Sequence, residues 1–258
     1  MDRRKVRFSL QGITHMKTAA LFLTVSAAAL GVSGAEARLQ LSIAANGSTF
    51  SCFDGQLGCD LSGGANNLLV VNTTIGGAFV QLTLAQSQFG KPDELQLSSA
   101  NIRNESGAPI TITLLASDTG FVPPVSHIEE SGSLTFNDAV GSGASTLKFW
   151  ADPLNAQGAN PLNTPGTLLD TVTGTPMSNP DSFSGSKVSS FIASSPFSMT
   201  EGGSLALATG GSITGFNQSM QSVAVVPETR TWAMMIIGFG LMALAGFRQG
   251  RKARWAIH

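Results

Sequence analysis

The chain of 258 residues is 42% hydrophobic but only 12% charged, about half the charged share of an ordinary soluble domain. Its net charge of −1 hides basic ends and an acidic middle, since residues 38–226 carry five basic and thirteen acidic side chains. An acidic middle excludes nucleic acid as the partner, because phosphate binding needs Lys and Arg, and the evenly spaced apolar bursts exclude a disordered chain.

Met16 opens the segment MKTAALFLTVSAAALGVSGAEARLQ. Lys17 supplies a positive start, residues 18–32 are apolar, and Ala35-Glu36-Ala37 puts small residues where a signal peptidase cuts. Residues 1–37 therefore read as a helical secretory signal peptide, cleaved after Ala37. MDRRKVRFSLQGITH ahead of Met16 reads as an upstream stretch before the true start, the alternative being a long positive region.

Residues 38–226 read as one all-β ectodomain. LQLSIAA, FVQLTLA, LQLSSANI, ITITLLA, LTFNDAV, TLKFWAD, VSSFIA, FSMTEGGSLALA and SITGFNQSM alternate apolar and polar residues, the period of half-buried strands. Turn signals separate them, among them Asn46-Gly47, Gly76-Gly77 and Gly210-Gly211. Short strands spaced this way predict an antiparallel β-sandwich, Ig-like or jelly-roll-like. The stretch 150–187, with five prolines and many Asn, Asp and Gly residues, is expected to be a long irregular loop.

Few side chains in this middle carry chemistry. Export puts Cys52 and Cys59 in an oxidising compartment, where the pair reads as a disulfide closing a small loop. Two thiolates alone fall short of a four-ligand metal site. His127 stands beside Glu129 and Glu130, but neighbours on a strand point to opposite faces, so the two carboxylates do not flank one bond. Phe149 and Trp150 offer a sugar-stacking surface or a core aromatic, and one of the two must face inward. Asp152, Asn155 and Asn160 are weak calcium candidates, with Asp170 and Asp181 further on; no EF-hand spacing supports them. No cofactor is expected beyond that calcium.

The chain ends on VPETRTWAMMIIGFGLMALAGFRQGRKAR and four further residues. Residues 232–247 carry no charge, Trp232 sits at one edge, and Arg248, Arg251, Lys252 and Arg254 crowd the other. A helix over these sixteen residues is about 24 Å long, close to the hydrocarbon thickness of a bilayer. Positive charge stays on the cytoplasmic side, which puts the body outside. A single C-terminal transmembrane helix is thus expected at 232–247, with a basic tail at 248–254.

Pro227, Glu228, Trp232 and Ala233, followed by the apolar span and the arginines, resemble the PEP-CTERM sorting signal in its variant with Trp-Ala after the Pro-Glu pair. Thr229 stands where the usual motif has a second proline. The resemblance covers residues 227–254. It implies export in a Gram-negative bacterium, an exosortase acting near Pro227-Glu228, and transfer of the body from the inner membrane to the envelope or matrix. It also implies a link with exopolysaccharide and biofilm. The expected processing partners are signal peptidase and exosortase, with polysaccharide as a contact. The expectation is a non-catalytic envelope or matrix protein; the alternative is a secreted carbohydrate-binding or carbohydrate-active enzyme.

Overall fold

The computed structural model describes residues 38–90, 92–160, 163–224, 234–239 and 242. Twelve strands run in chain order: β1 (Gln40–Ala45), β2 (Ser48–Phe53), β3 (Leu68–Ile75), β4 (Ala78–Gln88), β5 (Glu94–Asn104), β6 (Ile110–Phe121), β7 (Val125–Asn137), β8 (Ser145–Asp152), β9 (Thr167–Gly174), β10 (Asp181–Ala193), β11 (Phe197–Leu207) and β12 (Ser212–Ala224). They form two six-stranded sheets, of order β2-β1-β6-β11-β8-β9 and β10-β7-β12-β5-β4-β3. Neighbouring strands are antiparallel throughout.

From β5 onward the chain crosses between sheets at nearly every connection, the exception being the β8–β9 hairpin. The order β10-β7-β12-β5 then faces β9-β8-β11-β6, which is the double Greek-key winding of a jelly roll. The hairpins β1–β2 and β3–β4 extend one sheet each. Their tight turns follow from the sequence: Asn46 and Gly47 have φ of 47° and 75°, Gly76 and Gly77 of 55° and 82°. Two successive positive values make the primed turn that matches strand twist.

The alternation seen in the sequence becomes a core between the sheets. Leu41, Ile43, Ile112, Leu114, Leu147, Phe149, Leu205 and Leu207 line one inner face; Leu95, Leu97, Leu134, Phe136, Ile213, Phe216 and Met220 line the other, all buried. Phe121 and Phe197 close one end, with ring centroids 5.7 Å apart, and Phe191 stands 5.3 Å from Phe197.

The expected loop over 150–187 is not one irregular segment. β9 and the first half of β10 lie inside it, and among the described residues those at 153–160, 163–166 and 175–180 lack strand structure. Two edge contacts explain the strands. Gly174 lies against the Phe183 ring and Gly185 against Val172, each too close to admit a Cβ. Backbone-level contact between β9 and β10 replaces the apolar row that sequence reading looks for.

The expected signal helix lies outside the described residues, as do the sorting motif and the basic tail. Of the expected span, residues 234–239 are helical; among the described residues no helix is long and apolar enough to cross a membrane.

Candidate functional site: the outer face of one sheet

The face of β10, β7, β12 and β5 that points away from the core carries short polar side chains in register. Ser186, Ser131, Ser219 and Gln96 form one cross-strand row; Ser184, Ser133, Asn217 and Ser98 form the next. Strands in a sheet lie about 4.8 Å apart, so each row is a ladder of hydroxyls and amides at that pitch. Ser131, Ser133, Ser184, Ser186 and Asn217 are exposed.

Because these side chains are short, the sheet shows shallow relief. One groove of about 460 Å³ runs over Ser131, Gly132, Ser133, Ser184, Gly185, Ser186 and Asn217. A second, about 530 Å³, shares Ser131 and Ser186 and continues over Glu129, Glu130, Lys187, Val188, Ser219 and Gln221. Sequence reading missed this face. Its signal was available in the serines that fill the polar phase of the strand patterns, but serine in a strand reads only as solvated.

Charge sits at the margins of the ladder. Glu94 accepts hydrogen bonds from Gln96 Nε2 at 2.6 Å and Ser219 Oγ at 3.1 Å. Lys187 turns to the edge, donating to the Leu169 carbonyl at 2.8 Å and standing 3.6 Å from Asp170. Arg103 pairs with Glu105 and lies 5.6 Å from the Phe79 ring centroid. The ladder itself is uncharged.

The residues singled out in the sequence disperse. Ser126 Oγ and His127 Nδ1, neighbours in sequence, lie 2.8 Å apart, and no carboxylate hydrogen-bonds to His127 among the described residues. Glu129 is exposed on the outer face, whereas Glu130 points into the core. Cys52 and Cys59 are joined as a disulfide, a short closed loop that stabilises by about 2–3 kcal/mol. Phe149 is fully buried and Trp150 half-buried on the opposite, outer side of its sheet.

Asp152 is spent on its own loop, accepting from the backbone N–H groups of Leu154 at 3.0 Å and Ala156 at 3.1 Å. Asn155 accepts from Gly120 N–H at 2.7 Å, and the Asn160 carbonyl accepts from Thr164 Oγ1 at 3.2 Å. These contacts hold residues 153–160 on the outer face of the other sheet. There Gly158 N–H donates to Ser117 Oγ at 2.9 Å, and Ser198 Oγ donates to the Ala156 carbonyl at 2.7 Å. Among the described residues no three His, Cys, Asp or Glu side chains group as a metal site would need. Asp170 pairs with Lys187, and exposed Asp181 accepts backbone N–H groups from Met177, Ser178 and Ser182, which hold its carboxyl below the usual range.

Three carboxyls are driven the other way by burial. The Asp118 carboxyl is pushed up to about 6, opposed by hydrogen bonds from Ser87 Oγ at 2.5 Å and Thr119 N–H at 2.7 Å. Glu130 is pushed up to about 7. Glu201, fully buried, is raised well above the carboxylate range, first by burial and then by the charge of Glu94.

No family model and no curated protein matches the chain. Among solved structures it is similar to an isomalto-dextranase of Arthrobacter globiformis T6 complexed with panose, at 12% identity, over 58% of this chain and 24% of that one, with a TM-score of 0.27. It is also similar to the VP2 subviral particle of infectious bursal disease virus, at 12% identity, over 72% and 56%, TM-score 0.32. A structure of the Gt strain of that virus gives 13%, 74% and 56%, TM-score 0.31. The chain spans about a quarter of the first and just over half of the others, and likenesses this slight carry no argument about its activity.

Proposed function

We propose that this chain is an exported, non-catalytic protein of the cell envelope or extracellular matrix that works by contact with neutral polysaccharide across the outer face of β10, β7, β12 and β5. The observation that carries the contact is the uncharged ladder of hydroxyls and amides. Each such group both donates and accepts, as sugar hydroxyls do, and the sheet holds the groups in place without an ordering cost. Delivery rests on the two ends of the sequence: a secretory signal before Arg38, and a PEP-CTERM-like tail read by an exosortase. The precursor is anchored in the inner membrane and the body passes to the surface, within the exopolysaccharide of a biofilm. A contact role also suits the opposite orientations of Glu129, exposed on this face, and Glu130, buried.

Affinity electrophoresis in gels containing the host's own exopolysaccharide or a neutral glucan tests the contact. The native chain is expected to be retarded, and the double variant Ser131→Trp/Ser186→Trp, which fills the groove, to lose about tenfold in affinity, equivalent to ~1.4 kcal/mol. Its melting temperature should stay unchanged, since both positions face solvent. Free migration of the native chain in every such gel would refute the contact.

A further inference from the structure

The interior between the sheets holds a group of acceptor oxygens without donors. Neither carboxyl oxygen of Glu201 has a hydrogen-bond partner, nor does either of Glu130 on β7, and neither does Oε1 of Gln218. Glu201 is 0% exposed and Gln218 1%. An unpaired polar atom in such a place costs free energy unless something donates to it.

The register brings these two residues together. Glu201 is paired with Ala116 on β6 and Phe149 on β8, both buried, so its side chain points inward. Gln218 on β12 is paired with Gly132 on β7 and Leu97 on β5, and it too points inward. A Cβ built on Gly132 would lie 3.2 Å from Phe149 Cζ and 3.5 Å from Gln218 Cγ, so the Gln218 stem and the Phe149 ring meet over the same glycine. Gln218 Nε2 then crosses to the other sheet and donates to the Lys148 carbonyl at 3.3 Å. Lys148 faces Gly202 in register, the residue next to Glu201. The amide of Gln218 therefore ends at the β8–β11 seam, on the strand pair that carries Glu201, with an N–H on Lys148 and its oxygen without a partner.

No cation is placed to serve Glu201. β6 brings only Asp118, which is itself acidic. β8 brings Lys148, out of phase with inward Phe149, and Asp152, tied to its loop. β5 brings Glu94 and Arg103, the latter paired with Glu105 at the surface. β7 brings His127, exposed Glu129 and buried Glu130, the last itself acidic; β12 carries no titratable group and β11 none besides Glu201. What can supply a donor is a proton on the carboxyl itself, which burial favours.

We propose that Glu201 is held as a neutral carboxylic acid whose O–H donates to Gln218 Oε1, an acid–amide bond between the two sheets that opens when Glu201 loses its proton. The bond balances the acceptors: the acid contributes the missing donor, the amide oxygen takes it, and the amide N–H remains on Lys148. Loss of the proton leaves a buried carboxylate between Phe149 and Ala116 with no cation to pair it, so the central strands β11 and β12 are the ones that loosen. The device is independent of the polysaccharide contact, and its test does not touch the outer face.

Infrared spectroscopy of the full chain at pH 8 reads it directly. We expect a protonated-carboxyl carbonyl band that moves on transfer to heavy water and is absent from Glu201→Gln. In Gln218→Met, which removes the acceptor but keeps the stem, the band should shift to higher frequency. Should either variant fail to fold, carboxyl-13C labelling of glutamate in the native chain gives the same readout, one glutamate keeping its protonated shift at pH 8. A Glu201→Gln spectrum equal to the native one, a band unmoved by Gln218→Met, or glutamates all ionised at pH 8 would each overturn the proposal.

Discussion

Three inward carboxyls set how this protein responds to pH. Asp118, Glu130 and Glu201 all have folded-state values raised by burial, to about 6, about 7 and well above the usual range. A carboxyl of this kind binds more protons folded than unfolded across the window between its two values, so stability falls as pH rises through it. Stability contributed by Asp118 and Glu130 is therefore full near pH 4 and lost by about pH 7–8. The melting temperature should drop on going from pH 4.5 to pH 8. Glu130→Gln removes one such group and should raise the melting temperature at pH 8 by about 5 °C, with little change at pH 4.5. A melting temperature that climbs steadily with pH would contradict this assignment of all three side chains.

Elements show why some of the fold was legible in the sequence and some was not. β1, β4, β5, β8 and β12 bury mainly one row of side chains, and β6 and β11 do so over part of their length, being buried on both faces elsewhere; alternation revealed them. β9 does not: only Leu169 is buried along Thr167–Gly174, and its prolines and asparagines upstream argued for a loop. It holds its place through Val172 against Gly185 and through Gly174 under Phe183, contacts between strands distant in sequence. The Cys52–Cys59 pair was legible because the chain has two cysteines, close in sequence, with only each other to pair with. Asp152, Asn155 and Asn160 were legible as an oxygen-rich loop but not as pins, since their partners lie on β6 and in the loop backbone. The outer ladder was hidden because register, which aligns Ser131 with Ser186 and Ser219, is a property of the sheet and not of any strand.

The pinned loop makes a prediction at this same scale. A Cβ on Gly158 would stand 2.0 Å from Thr200 Oγ1 and 3.2 Å from Ser117 Oγ. Gly158→Ala should lift residues 153–160 from the sheet and cost about 1–3 kcal/mol in chemical denaturation, the usual penalty for overpacking. An unchanged denaturation midpoint would mean that the loop adapts and does not press on Ser117 and Thr200.

At the scale of the molecule, a jelly-roll sandwich with one uncharged polar face stands between two sequence segments that read as addresses. The acidic balance of residues 38–226 and the disulfide both suit a protein working outside the cytoplasm. The proposed contact depends on delivery to where the polysaccharide is. Intact mass measurement of the protein taken from the medium and envelope of its native host tests that delivery most directly. A species beginning near Arg38 and ending near Pro227 is the predicted result, with both addresses removed and the sandwich released or transferred. A species that keeps Trp232 to His258 would contradict it, leaving the tail a permanent anchor and the exosortase without a role.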